Sequence, residues 1–73
     1  MKTLAALSVG SQGCVRKVHG TDEISVRLME MGVTPGVIIL VKGIAPLGDP
    51  LELELRGYHL SVRRSEAERI ELE

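Results

Sequence analysis

The ten-residue segment 27–36 constrains the fold more than any other part of this chain, because it contains a helix end, a turn and a strand start. The residues before and within it that share one helix face are apolar: Ile24, Leu28 and Met31. Gly32 follows where a helix commonly closes on a left-handed residue, and Pro35-Gly36 fits the middle of a type II turn. The apolar run 37–41 comes next. The segment therefore predicts a short helix that leads through one turn into a buried strand.

Glycine and proline divide the rest of the chain into short units, which favours a small β-barrel with little helix. Residues 13–18 are predicted to form the first strand, in which two valines three positions apart indicate a bulge or an early strand end. Thr21 or Asp22 can cap the helix that ends near Met31.

The clearest strand is 51–55, in which leucine alternates with glutamate. A second alternating stretch, 59–63, follows Gly57-Tyr58. If Gly57-Tyr58 forms a two-residue type II′ turn, the register of the hairpin is fixed. The predicted pairs are then Leu55 with Leu60, Leu53 with Val62, Glu54 with Ser61, and Glu52 with Arg63.

The last part of the chain predicts one helical turn and a closing strand. Ser65 can cap the turn while Glu68 reaches back to its amide, and Ile70 and Leu72 then alternate with glutamates. The whole pattern predicts a mainly β chain: a small barrel of about five strands. One short helix lies between the first two strands and a one-turn helix before the last. We expect a single domain over residues 1–73.

Composition restricts both the core and the compartment. Tyr58 is the one aromatic residue, so leucine, valine, isoleucine and methionine must build the core. The lone Cys14 cannot form an internal disulfide, and no apolar run approaches membrane-spanning length, so we expect a cytoplasmic protein. A net charge of −1 and basic residues interleaved with glutamates argue against nucleic-acid binding.

No residue pattern in the chain predicts catalysis. Neither the serines nor Cys14 lie in a nucleophile motif, and the glycines form no phosphate-binding loop. Cys14 and His19 lie five positions apart, and His59 could approach them across the barrel, but the paired ligands of structural zinc sites are missing. We therefore expect a non-enzymatic protein with no cofactor and no dedicated metal site.

A series of short motifs runs through the chain in a fixed order: Leu7 with Gly10, Gly13 with Val15, Arg27-Leu28-x-Glu30-x-Gly32-x-x-Pro35-Gly36, Ala45-Pro46-Leu47-Gly48-Asp49-Pro50, Leu60-x-Val62-Arg63, Glu66-Ala67 and Ile70. Together they resemble the FeoA family of proteins associated with ferrous iron uptake. The resemblance implies an SH3-like barrel related to the C-terminal domain of DtxR-type repressors. It also implies a cytoplasmic accessory protein that binds a FeoB-type ferrous iron permease at its cytosolic part, and regulates or assembles it.

Three features indicate a surface for that partner. Met29 lies off the apolar stripe of the helix, and Leu47 stands at the tip of a loop bounded by prolines. The run 37–41 is apolar on both faces, so its second face is either covered by the helix or exposed as a patch. We expect Met29, Leu47 and the neighbouring Arg27 to contact the partner.

Two other functions stay open at this point. The chain could be a free-standing relative of the repressor barrel that binds a transition metal or docks on a regulator. Nucleic-acid binding is the third interpretation, and a homo-oligomer is compatible with all of them.

Overall fold

Five antiparallel strands form one sheet. The computed structural model describes residues 1–73. The strands are β1 (Gln12–Val18), β2 (Ile38–Ile44), β3 (Leu51–Leu55), β4 (Tyr58–Val62) and β5 (Ile70–Leu72), and they lie in the sheet in the order β4-β3-β2-β1-β5. Helix α1 (Glu23–Glu30) lies between β1 and β2, helix α2 (Arg64–Ala67) precedes β5, and Leu4–Ala6 forms a 3-10 turn. The predicted mainly β architecture, with its two helices in these places, is confirmed.

The core consists of aliphatic side chains from every strand. Fifteen apolar residues are buried together, including Leu28 of α1 and Leu4 of the 3-10 turn. Ile24 and Met31, the other members of the predicted helix stripe, are partly buried against this core. No buried side-chain nitrogen or oxygen lacks a hydrogen-bond partner. The polar groups near the core are therefore satisfied, as buried polar groups must be in a small domain.

The predicted bulge in β1 is present. The register of β1 against β5 shifts between Val15 and Lys17, so Arg16 is the extra residue. Because a bulge adds one residue to the strand, Val15 and Val18 are both buried although they lie three apart.

The β3–β4 hairpin is present, but its predicted register is wrong. The turn residues are Arg56 and Gly57, both with positive φ (50° and 83°), as in a type I′ turn. The observed pairs are Leu55 with Tyr58, Glu54 with His59, Leu53 with Leu60, Glu52 with Ser61 and Leu51 with Val62. Each predicted partner is displaced by two positions, so the leucines keep the same face of the strand.

A contact with α1 explains this register. With the turn at Arg56 and Gly57, Tyr58 enters β4 and its hydroxyl donates a hydrogen bond to the carbonyl oxygen of Met31. The predicted Glu52–Arg63 pair is not formed. Instead, the Ser61 hydroxyl donates to Glu52 Oε2 at 2.8 Å.

The helical turn before β5 is confirmed as α2, but its predicted cap is wrong. The helix begins at Arg64, and Arg63 rather than Ser65 occupies the N-cap position. Glu66, rather than Glu68, reaches back, and its Oε1 accepts from the Arg63 amide at 2.8 Å. The physical reason is that Glu66 is also held by α1, whereas Glu68 points to solvent.

The second face of the run 37–41 is only partly covered. Val37, Ile39 and Val41 are buried, Leu40 is half-buried, and Ile38 is 49% exposed. Helix α1 packs mainly against β1, and half of the surface of Ile38 stays open to solvent. The second face of this strand is thus exposed at one residue, Ile38, and half-buried at Leu40.

Gly32 closes α1 as predicted, and we expect it to tolerate alanine poorly. Its φ is 99°, and a Cβ atom there would lie 2.5 Å from the Tyr58 hydroxyl oxygen. Gly36 has a similar φ of 93° but open space around it, so Gly36→Ala carries only the left-handed strain, about 1–2 kcal/mol. Chemical denaturation should show a larger loss of unfolding free energy for Gly32→Ala than for Gly36→Ala. In a Tyr58→Phe background the difference should shrink, and an unchanged difference would contradict the clash.

Candidate partner-binding surface

Leu47 is the most exposed apolar side chain of the structure, with 97% of its surface open to solvent. It lies at the tip of residues 45–50, hereafter the Leu47 loop, between β2 and β3. The loop is closed at its base, where the Ala45 amide donates to the Pro50 carbonyl at 3.1 Å. Inside the loop, the Gly48 amide donates to the Ala45 carbonyl at 2.7 Å. An exposed leucine on a closed loop matches the sequence prediction for this residue.

Met29 is exposed on the outer side of α1, as predicted, and it has an apolar neighbour that the sequence analysis missed. Met29 is 40% exposed and Val26, three residues earlier, is 46% exposed. Residues three apart are neighbours on a helix surface. Val26 lies off the apolar stripe just as Met29 does, which is the sequence signal that would have identified it.

The outer side of α1 also carries acidic groups without ionic partners. A shallow groove there is lined by Val26, Arg27 and Glu30, together with the first residues of the helix and its cap. Glu23 and Glu30 take part in none of the ion pairs of the structure. The groove therefore combines apolar side chains with free carboxylates.

Arg27 is not a free cation. Its guanidinium donates to Glu66 Oε2 at 2.7 Å and thereby connects α1 to α2. Arg64, two residues before Glu66, donates from its Nε to the Gly48 carbonyl of the Leu47 loop at 3.0 Å. Helix α2 therefore contacts both α1 and the Leu47 loop. The three predicted contact residues lie on elements that α2 holds together.

The N-terminus of α1 is fixed by a separate polar cluster. Asp22 caps the helix by accepting from the Ser25 amide, and its carboxylate also accepts from the Arg69 guanidinium next to β5. The buried Ser25 hydroxyl donates to the His19 carbonyl at 2.6 Å. The hydrogen bond from Arg69 holds the pKa of Asp22 at about 2, well below its ordinary value. This cluster positions the helix that carries Met29.

Cys14, His19 and His59 do not come together. His19 Nε2 lies 2.7 Å from Glu71 Oε1, Cys14 Sγ lies 3.6 Å from Glu73 Oε2, and His59 Nε2 lies 3.5 Å from Glu54 Oε1. No three histidine, cysteine or carboxylate side chains are grouped as metal ligands would be. Burial, followed by the charge of Glu73, raises the pKa of the Cys14 thiol, which disfavours the thiolate that reacts and binds metals.

The sheet and its two inserted helices define a small β domain of the SH3-like class. The FeoA domain family model matches residues 2–73, so the chain belongs to the FeoA family. The family takes part in ferrous iron transport. The resemblance noted from the sequence is thereby confirmed.

Relatives and solved structures agree with this assignment. The Fe(2+) transport protein A/Fe(2+) transporter FeoB fusion protein of Porphyromonas gingivalis is 37% identical over 70 residues, which is 96% of this chain and 8% of that protein. The chain thus spans a small part of that relative. The FeoA-like protein of Clostridium acetobutylicum is 38% identical with a TM-score of 0.90, covering 97% of this chain and 83% of that one.

Two further structures extend the comparison. Stenotrophomonas maltophilia FeoA, an SH3 domain protein solved in complex with zinc, is 28% identical with a TM-score of 0.88, covering 100% of this chain and 91% of that one. A manganese-dependent transcriptional repressor matches with a TM-score of 0.86 at 14% identity over 97% of this chain and 40% of its own, which shows a shared fold only. The predicted SH3-like fold is confirmed, and the repressor contains a domain of the same fold. None of the helices has the length and apolar character needed to cross a membrane.

The low pKa of Asp22 predicts a specific acid sensitivity. Its folded-state pKa of about 2 lies below the ordinary 3.8, so its contribution to stability is complete above the ordinary value and is lost as the pH falls toward 2. Asp22→Asn keeps a good N-cap but removes the charge. Urea midpoints measured between pH 5 and pH 2 should therefore fall less steeply for Asp22→Asn than for the wild type. Glu23→Gln removes an adjacent carboxylate without an ion pair, and it should keep the wild-type slope. Equal slopes for all three proteins would refute the role of the Asp22–Arg69 pair.

Proposed function

We propose that this protein is a non-enzymatic cytoplasmic accessory protein of ferrous iron uptake. It binds the cytosolic part of a FeoB-type permease and regulates or assembles it. The observation that carries the proposal is the Porphyromonas gingivalis relative, a fusion protein in which a segment similar to 96% of this chain is joined to FeoB. Fusion gives the two parts a high effective concentration, which is useful when they act on each other.

The contact surface in this proposal comprises Leu47, Met29 and Arg27. Burying a leucine that is fully exposed in the free protein supplies about 1.5–3 kcal/mol, so Leu47 is the strongest apolar contributor that the chain can offer. Met29 adds a flexible thioether beside Val26, which suits a surface that must adapt to its partner. The apolar side chains supply affinity, and the surrounding charges set orientation.

Arg27 has a different part in this surface. Because its guanidinium is bound to Glu66, it offers the partner its exposed stem and its remaining N–H groups rather than a free charge. Its main effect on binding is to hold α1, which carries Met29, against α2.

Substitution of the two apolar residues tests the surface. Each of Met29→Asp and Leu47→Asp should weaken binding to the purified permease in nanodiscs by about tenfold or more, because each places a charge at a position where the proposed complex buries an apolar side chain. Circular dichroism should stay that of the wild type, since both residues lie outside the core. Val9→Asp introduces the same charge at a residue that is 55% exposed in the loop before β1 and should bind normally. Normal binding by the double variant Met29→Asp/Leu47→Asp would show that the surface is elsewhere.

Transition-metal binding is a second candidate function, favoured by one observation: the Stenotrophomonas maltophilia relative is complexed with zinc. In this chain the donors occur in three pairs, His19 with Glu71, Cys14 with Glu73 and His59 with Glu54. A structural zinc site takes four ligands, so none of the pairs fits a complete site. Nothing in the proposed adaptor function depends on a bound metal.

Titration with Zn(II) followed by amide NMR shifts separates the two candidates. The adaptor predicts no saturable change at one equivalent of metal, because two donors bind zinc weakly. Stoichiometric micromolar binding centred on His19 or His59 would favour a metal sensor instead. His19→Ala and His59→Ala then identify which donor pair is responsible.

A further inference from the structure

One residue of α2, Arg64, makes hydrogen bonds to the Leu47 loop through both its side chain and its backbone amide. Arg64 Nε donates to the Gly48 carbonyl at 3.0 Å, and a terminal nitrogen of the same guanidinium donates to the Ala5 carbonyl at 2.8 Å. The backbone amide of Arg64 also donates to Asp49 Oδ1 at 2.9 Å. The first two residues after Leu47, Gly48 and Asp49, are therefore hydrogen-bonded to Arg64, while Leu47 itself is exposed to solvent.

The chemistry of arginine suits this arrangement. A guanidinium holds its donors in a rigid planar fork, so two carbonyls bound by one fork are fixed relative to each other. The two carbonyls belong to the Leu47 loop and to the 3-10 turn, which is anchored in the core through Leu4. Through Arg64, the Gly48 carbonyl is therefore held in a fixed position relative to the core, directly next to Leu47.

We propose that Arg64 is the positioning residue of the partner-binding surface. It keeps the Leu47 loop in one conformation and presents Leu47 as a preformed anchor for an apolar pocket on the partner. The inference rests on the proposed function and deepens it. A loop that is ordered before binding loses less conformational entropy when it binds, so the hydrogen bonds of Arg64 increase affinity without touching the partner.

The ordering of the loop is tested on the isolated protein. Backbone order parameters at Leu47, Gly48 and Asp49 should be near 0.85 in the wild type, and they should drop to about 0.6 or below in Arg64→Ala. Arg63→Ala is the matched control, since the Arg63 side chain makes no hydrogen bond or ion pair, and it should leave the loop ordered. An ordered loop in Arg64→Ala would overturn the inference. So would a loss of order spread over the whole sheet, because it would make Arg64 a general structural residue.

Arg64→Lys keeps the charge and most of the stem, and it covers the case in which Arg64→Ala does not fold. One ammonium group on a flexible stem cannot reproduce the fixed fork. We expect this variant to fold and to loosen the loop nearly as much as alanine does. Wild-type order in Arg64→Lys would show that charge, and not the fork, holds the loop.

Permease binding supplies the second readout. Arg64→Ala should weaken binding by about tenfold in the wild-type background and have no further effect in a Leu47→Ala background, because the two residues act as one unit. Additive losses would overturn the proposal that Arg64 acts through Leu47. Absence of wild-type binding would overturn the proposed function instead, and the order parameters would still decide whether Arg64 orders the loop.

Discussion

The arrangement of helices α1 and α2 depends on the hydrogen bonds that the Glu66 carboxylate accepts. The Glu66 side chain is 11% exposed and lies in a domain with a small aliphatic core, where an unpaired buried charge would be strongly destabilising. Both of its oxygens are bound: one accepts from the Arg63 amide and starts α2, and the other accepts from the Arg27 guanidinium. A single buried group therefore fixes where α2 begins and where α1 lies relative to it. Because the Arg27 side chain is 61% exposed, only the Glu66 end of this pair is buried, and the pair acts mainly by satisfying that carboxylate in one arrangement of the two helices.

Local sequence rules predicted the helices and strands well, but they predicted the wrong cap for α2, because a contact distant in sequence determines where that helix begins. The serine at position 65 has the better intrinsic tendency to cap a helix. The observed cap uses Glu66 because Arg27, 39 residues earlier in the chain, binds the same carboxylate. No rule confined to a few neighbouring residues contains that contact. The bulge of β1 and the closure of α1 at Gly32 depend on local spacing and backbone conformation, and both were predicted correctly.

The β3–β4 hairpin shows a second limit of prediction from sequence, which concerns the register of paired strands. Alternation of leucine and glutamate determines which side chains face the core, but it is equally satisfied by registers that differ by two residues. The choice between them lies in the turn, where Arg56 adopts a φ of 50° that non-glycine residues rarely adopt. The compensating contact is the hydrogen bond from Tyr58 to Met31, which joins the hairpin to α1 across 27 positions of sequence. For this hairpin the sequence therefore predicts which side chains share a face of the sheet, but not which residues pair across the two strands.

The candidate partner-binding surface also has features that the sequence predicts and features that only the structure shows. Exposure of Leu47 and Met29 follows from their local patterns, because one stands between turn residues and the other lies off the helix stripe. Their common support by α2 required the contacts of Arg64 and Glu66, which the sequence does not show. The surface thus combines a constrained leucine on a tied loop with a flexible methionine on a helix. A constrained anchor gains affinity through low ordering cost, and a flexible thioether tolerates small differences in the partner's shape. This combination of a constrained and a flexible apolar side chain is the physical basis of the proposed contact surface.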